Sequence, residues 1–304
     1  MRPAQWTKNI VVLAAWAFAI ADPLQPDITF KLSISRCLIP LLLAFGMVGA
    51  FCLVSSAFYI LNDVNDVDAD RSHPVKKSRP VAAGLISQAE AIRGALVLFA
   101  SGVIFPSFVV MFMPERSLAF GTIMTYTVLQ CFYTGLLKKI PYIDVFVIAT
   151  GFVLRAVAGA AILSARISPW LLLCTFSLSL FLALCKRKSE KRLIDNGCAG
   201  HESRPALKNY HPQILNLLIA GSAILTAGIY TAYTISGDTA ARFGKFSLTP
   251  TALFVTLGIV RYLFIVYRSE GGGNPEKILL ADKWIWGCLA GYAFSATAAF
   301  LKIF

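Results

Sequence analysis

Charge is scarce in this chain: Asp, Glu, Lys and Arg together make up only 14% of its 304 residues. An ordinary soluble domain carries about a quarter, so that class is excluded at the outset. Histidine is scarcer still, with three residues standing far apart. The seven cysteines (Cys37, Cys52, Cys131, Cys174, Cys185, Cys198 and Cys288) form no C-x-x-C pair, and most fall inside apolar runs. A zinc centre or a disulfide framework is therefore not expected. The thiols read as small apolar fillers. Low-complexity tracts are missing too, and no stretch between the apolar runs is long enough for a soluble domain.

What is present is hydrophobic, at 57% of residues with a mean hydropathy of +0.68. Apolar segments fall near 9–21, 38–61, 88–112, 118–137, 142–163, 168–185, 212–236, 247–268 and 284–302. Each lies near the ~20 residues that a bilayer requires. The expectation is an all-α integral membrane protein, with nine transmembrane helices forming one domain over residues 1–304. Arg2, Lys8 and the Ala19-Ile20-Ala21 triplet resemble a cleavable signal peptide. A helix beginning near Pro3, with Trp6 at the interface, instead makes that segment a span. With the N-terminus inside, Lys and Arg divide 18 to 7 in favour of the cytoplasmic side. The positive-inside rule then gives an inner-membrane, multi-pass protein with a cytoplasmic N-terminus. The net charge of +12 is mostly this topology signal, and no nucleic-acid partner is needed to explain it. Faces rich in Gly and Ala suit either internal packing or a homo-oligomer.

Against this background, Asn62 to Arg71 (NDVNDVDADR) holds four of the sixteen carboxylates. On a helix, Asp63, Asp66 and Asp70 (i, i+3, i+7) share one face with Asn62 nearby, while Asp68 points away. Three converging carboxylates form an oxygen-rich site for Mg²⁺, which commonly binds together with substrate phosphates. The plain alternative is a solvated helix end. An EF-hand is excluded: counted from Asp66, position six is Arg71 rather than Gly, and position twelve is Lys77 rather than Glu. Arg71, Lys76, Lys77 and Arg79 follow at once, in a turn-rich loop punctuated by Pro74, Pro80 and Gly84. Carboxylates for the metal beside cations for phosphate oxygens suit a metal-bound polyphosphate.

A second ionic cluster, Lys186-Arg187-Lys188-Ser189-Glu190-Lys191-Arg192, ends the sixth apolar segment. Lys186 with Glu190 and Arg187 with Lys191 stand at i, i+4; a stop-transfer cap is the simpler reading. Arg155 lies mid-helix, where a lone guanidinium costs roughly 2.5–3.5 kcal/mol on insertion scales. It should therefore face a polar cavity and hold a partner, with a phosphate favoured over the distant Asp144. Arg261 raises the same question, and can snorkel. The Gly271-Gly272-Gly273-Asn274-Pro275-Glu276 loop is either a lid or a plain connector.

Taken together, these residues resemble the UbiA superfamily of intramembrane prenyltransferases, which carry nine helices and an NDxxDxxxD motif after helix two. That motif stands here as Asn62, Asp63, Asp66 and Asp70. The second Asp-rich motif of the superfamily, after helix six, is replaced by Lys186-Arg187-Lys188-Ser189-Glu190. A more specific resemblance within the superfamily is to the decaprenyl-phosphate phosphoribosyltransferases. It rests on Arg2-Pro3, Gln5-Trp6, Lys8-Asn9, NDVNDVDADRSHPVKKSRP, Leu154-Arg155-Ala156, the Lys186-Arg187 to Glu190 stretch, Arg261-Tyr262 and Pro275-Glu276.

The resemblance implies transfer of 5-phosphoribose from phosphoribosyl pyrophosphate (PRPP) to a polyprenyl phosphate, yielding a lipid-linked precursor of arabinofuranosyl donors. It implies Mg²⁺ on Asp63, Asp66 and Asp70 with Asn62 assisting, and pyrophosphate on Arg71, Lys76 and Arg79. Lys8, Arg155 and Lys186, with Arg187 and Glu190 beside them, become candidates for the acceptor phosphate or the 5-phosphate. The rival enzyme reading is a UbiA-type aromatic prenyltransferase fed by a prenyl diphosphate, which should carry the missing second carboxylate pair. An ion-coupled transporter is the non-enzymatic alternative, but its charges belong near the bilayer midplane rather than at one face.

Overall fold

The computed structural model describes residues 3–14, 16, 34–71, 76–110, 116–163, 165–195, 205–268 and 281–301. Arg2, the Ser72-His73-Pro74 stretch, residues 15 and 17–21 of the expected first span and the 271–276 loop lie outside them. Within the described residues the chain is helical and contains no strand. A 3₁₀ segment, Pro3–Ile10, comes first. Eight long helices follow: α1 (Ile34–Asn65), α2 (Gln88–Val110), α3 (Arg116–Gly135), α4 (Ile143–Ile162), α5 (Pro169–Asp195), α6 (Pro212–Ile235), α7 (Thr249–Arg268) and α8 (Lys283–Phe300). Six of them (α1, α2, α4, α5, α6 and α7) are long and apolar enough to cross a membrane.

Two helices outrun their apolar stretches. α1 continues to Asn65, and backbone bonds from Asp66 N to Asn62 O (3.0 Å) and from Asp70 N to Asp66 O (2.8 Å) carry the helical pattern through a turn. The short helix Val67–Arg71 completes it. α5 runs ten residues past the expected end at 185, to Asp195, so the charged cluster is itself helical. Backbone hydrogen bonding persists wherever side chains find partners, whatever their hydropathy.

Two apolar cores hold the bundle. One joins Phe51, Val54 and Phe58 of α1 to Ile123 of α3 and Ala158 to Ile162 of α4. The other joins Val145 of α4 to Phe181 and Leu184 of α5, Leu215 and Ile219 of α6, Ile259 and Tyr262 of α7, and Ile285 of α8. α4 belongs to both, and its small residues let neighbours approach closely. A Cβ added at Gly159 would stand 2.1 Å from the Val12 carbonyl oxygen, so only glycine fits there.

α1 packs most extensively on α2, α3 on α4, and α5 on both α4 and α6. The C-terminal ends of α1, α3 and α5 thereby meet the starts of α4 and α6, joined by the side-chain contacts described next.

Candidate active site

The face predicted from the spacing of the Asp run is present, but its carboxylates gather in pairs. Asp63 Oδ1 accepts from Arg79 Nη1 at 3.1 Å, and Asp70 Oδ2 accepts from the same nitrogen. Asp66 faces elsewhere: its Oδ1 accepts from Lys138 Nζ at 2.8 Å, which also donates to Asn62 Oδ1 at 3.2 Å. Among the described residues no three His, Cys, Asp or Glu converge on one point. This corrects the expectation of a single three-carboxylate cage. In a straight helix Asp63 and Asp70 would lie ~10 Å apart along the axis. The reach of the two side chains around the Arg79 guanidinium spans that gap, while Asp66, 44% exposed, turns to Lys138.

The loop explains how Arg79 reaches back. The 3₁₀ turn Lys76–Ser78 is closed by Arg79 N on Lys76 O (2.9 Å), and the chain reverses through Ala83 N on Arg79 O (2.8 Å) and Leu85 N on Pro80 O (2.9 Å). Gly84 supplies the positive φ of 74° that this reversal needs. Ser87 and Glu90 then form a capping box on α2, with Ser87 N to Glu90 Oε2 at 2.9 Å. Val67 and Val81 pack with Ala91 beneath the loop.

Arg71, expected beside Arg79, points the other way. It pairs with Asp68 at 3.5 Å on the exposed side and reaches the Ala82 carbonyl. Lys76 is half-buried in the turn, three residues before Arg79.

The donors that the Asn62–Asp70 motif offers are all oxygen: Asn62, Asp63, Asp66 and Asp70. Neither sulfur nor imidazole is among them. Mg²⁺ typically takes one or two carboxylates, several waters and substrate phosphates, so these paired carboxylates fit it. Each pair already holds a cationic side chain where a metal would bind.

Residues 10–281 match the model of the UbiA prenyltransferase family. The chain belongs to that family. It is 33% identical over 288 residues to the decaprenyl-phosphate phosphoribosyltransferase of Corynebacterium glutamicum, covering 93% of this chain and 80% of that one. Identity is again 33% over 288 residues to the protein of the same name from Mycobacterium tuberculosis H37Rv, covering 93% and 87%. A UbiA homolog from Archaeoglobus fulgidus, solved with DMAPP and Mg²⁺, superimposes with a TM-score of 0.61 at 17% identity, over 98% of this chain and 96% of that one. At that identity the likeness speaks for the fold, and the UbiA fold is what the bundle shows.

In this UbiA protein the second ionic cluster is closed. Arg187, expected to bind substrate with Glu190, donates from Nε to Asp144 Oδ2 at 2.6 Å and from Nη1 to Glu190 Oε2 at 2.5 Å. Its side chain is 2% exposed and that of Asp144 1%. Glu190 thus pairs at i, i+3 with Arg187, a contact that the i, i+4 spacing did not anticipate. Tyr210 donates its hydroxyl to Asp144 Oδ1 and accepts from Tyr142 N at 3.0 Å. Burial, followed by the nearby Asp144 carboxylate, raises the Tyr210 phenol well above its usual range, so it stays protonated as a donor. Tyr142 adopts φ 65° at the start of α4, and its ring packs against that of Tyr210 at a tilt of 52°, with centroids 4.6 Å apart. Lys186, half-buried, precedes Arg187 by one residue.

Arg155 is 5% exposed and is held by Asn9, Gly151 and Tyr126. Its partners are neutral protein groups, where a phosphate had been expected. Lys8 lies in the N-terminal 3₁₀ segment and donates to Gln5. Arg261 pairs with Asp282, the N-cap of α8, at 2.7 Å.

Lys138, which in the sequence only adds to the 18 cytoplasmic-side cations, joins the candidate site through Asn62 and Asp66. Its signal was available: Lys138 belongs to a short turn expected on the same side of the membrane as the Asp run.

Proposed function

We propose that this protein transfers 5-phosphoribose from PRPP to a decaprenyl-type polyprenyl phosphate and releases pyrophosphate. The observation that carries this reading is the sustained 33% identity, over 93% of the chain, to enzymes named decaprenyl-phosphate phosphoribosyltransferase. The absence of a DxxxD-type motif in this part of α5, where Lys186-Arg187-Lys188-Ser189-Glu190 stand, favours it over aromatic prenyl transfer.

In the proposed reaction the bond between C1 of the ribose and the pyrophosphate oxygen breaks, and pyrophosphate leaves with the electron pair. An oxygen of the polyprenyl phosphate forms the new bond to C1. That oxygen is already anionic at neutral pH, so no strong general base is required. Asn62, Asp63, Asp66 and Asp70 would hold Mg²⁺, whose role is to neutralise charge growing on the leaving group. Arg79 and Lys138, released from the carboxylates, then face pyrophosphate oxygens, with Lys76 at the loop edge. Lys8 and Lys186 are the cations assigned to the other two phosphates. Holding the acceptor beside C1 supplies much of the acceleration. The isoprenoid tail stays in lipid while its phosphate enters from the cytoplasmic side, and one transmembrane domain over 1–304 carries the whole site.

The test is purified protein in detergent with Mg²⁺, PRPP and polyprenyl phosphate. Pyrophosphate and a phosphoribosylated lipid should appear together and disappear with EDTA. Absence of both, with condensation of a prenyl diphosphate and 4-hydroxybenzoate instead, would overturn the reading in favour of aromatic prenyl transfer.

A further inference from the structure

Arg155 presents a physical problem that the proposed reaction does not solve. It lies in the middle of a membrane-spanning helix, and no carboxylate pairs with it among the described residues. Its Nε donates to Asn9 Oδ1 at 2.7 Å, its Nη1 to Gly151 O at 2.8 Å and its Nη2 to the Tyr126 hydroxyl at 2.8 Å. The rings of Phe51, Tyr126 and Phe152 lie 5.6, 4.6 and 5.3 Å from its guanidinium carbon. Aromatic faces ease the burial of a cation, but they also close it off from any phosphate. A charge so costly to insert, and so fully engaged, points to a geometric purpose. The planar guanidinium fork fixes three directions at once, which a lysine cannot do.

One of those directions leads to the N-terminal segment. The Asn9 amide bridges two helices: its oxygen accepts from Arg155 of α4, while its nitrogen donates to Cys52 Sγ of α1 at 3.1 Å. Three residues earlier, Trp6 Nε1 donates to Ser56 Oγ at 3.1 Å. Three residues of 3₁₀ helix rise ~6 Å, as do the four α-helical residues from Cys52 to Ser56. The segment therefore runs in register along α1, antiparallel to it. Ser56 lies seven residues, or two turns, before Asp63 on the same helix. On the other side of Asn9, Val12 is fully buried, and its carbonyl occupies the space that a side chain at Gly159 would need.

We infer that Asn9 and Arg155 form a clamp that seats the N-terminal segment along α1 and so positions Lys8 for a substrate phosphate. Both are positioning residues. This reassigns Arg155 from phosphate ligand to anchor, and it rests on the proposed role of Lys8 in the phosphoribosyl transfer. Cys52, buried beneath the Asn9 amide, reports the state of the clamp directly.

The experiment is a double-mutant cycle on Asn9→Ala and Lys8→Ala, read as kcat and KM for PRPP and for polyprenyl phosphate. In parallel, N-ethylmaleimide labelling of Cys52 in the folded protein is mapped by mass spectrometry. Lys8→Ala should raise the KM of one phosphate substrate about tenfold, and Asn9→Ala should raise the same KM about fivefold with kcat nearly unchanged. The double variant should be no worse than Lys8→Ala alone, because the clamp acts through that lysine. Asn9→Ala should also speed Cys52 labelling. Asn9→Asp, which keeps an acceptor for Arg155, should restore both the slow labelling and the KM. Additive effects in the double variant would overturn the positioning role, as would full protection of Cys52 in Asn9→Ala. If Lys8→Ala matches the unsubstituted protein, the assignment of Lys8 to a phosphate fails. The clamp is then judged on Cys52 alone, faster labelling in Asn9→Ala supporting it and continued protection overturning it.

Discussion

The two ionic clusters of this molecule are made from the same side-chain types, yet they differ in access. In the first, Asp66 is 44% exposed and pairs with Lys138, while Arg79, 24% exposed on its loop, holds Asp63 and the buried Asp70. In the second, Arg187 and Asp144 are sealed between α4 and α5 and buttressed by Tyr210. A cation on a long side chain at a partly wetted site can give way to a metal or a substrate. A cation buried with its counter-ion cannot, because separating the pair would leave a bare charge in low dielectric. The first cluster is therefore suited to chemistry, and the second to holding the start of α4 and the turn that carries Lys138.

The sharpest way to break this comparison is to neutralise the open cluster. Asp63→Asn, Asp66→Asn and Asp70→Asn should each lower turnover at least about 100-fold with membrane insertion kept, and Asp66→Asn, the exposed member, should leave thermal unfolding in detergent little changed. Near-normal activity in all three would remove the metal site. The sealed cluster should respond in the opposite manner. Arg187→Met leaves Asp144 buried without its cation and should cost about 3–5 kcal/mol of stability, seen as a lowered Tm. An unchanged Tm with lost activity would show that Arg187 belongs to the chemistry.

Two smaller effects sharpen the contrast. Lys138→Met removes a cation that competes for Asp66. The Mg²⁺ concentration at half-maximal activity should fall a few-fold, the scale of a partly exposed ion pair, while KM for PRPP rises. A higher Mg²⁺ requirement would contradict that competition. The smallest effect is expected at the third pair, Arg261–Asp282. The hydrogen bond from Arg261 holds the Asp282 carboxyl below its usual range. Its contribution is then fully present above the unfolded carboxyl value of about 3.9, and it is lost as pH falls through the depressed folded value. Asp282→Asn should lower Tm slightly at neutral pH, and the difference should vanish on acidification.

Much of this was legible in the residues alone. The spacing of Asp63 and Asp70 shows that they can share a partner because helical periodicity is local, although it did not show Asp66 turning to Lys138; the apolar run lengths locate long helices because bilayer thickness is fixed. Arg79 was within reach for the same reason, standing nine residues from Asp70. Local spacing failed where partners are remote. Asp144 meets Arg187 from 43 residues away and Asn9 meets Arg155 from 146. Arg71, although adjacent to Asp70, turns outward because the helix turn sends it to the opposite face with Asp68.

The sequence by itself determined the class of molecule, the approximate position of its long helices and the segment on which the carboxylates cluster. These follow from hydropathy, chain geometry and the 3.6-residue period, none of which needs a neighbour. Only the tertiary structure decided which charges are open and which are sealed. A guanidinium has the same intrinsic chemistry at Arg79, Arg155 and Arg187, and its role is set by the groups that distant segments bring around it.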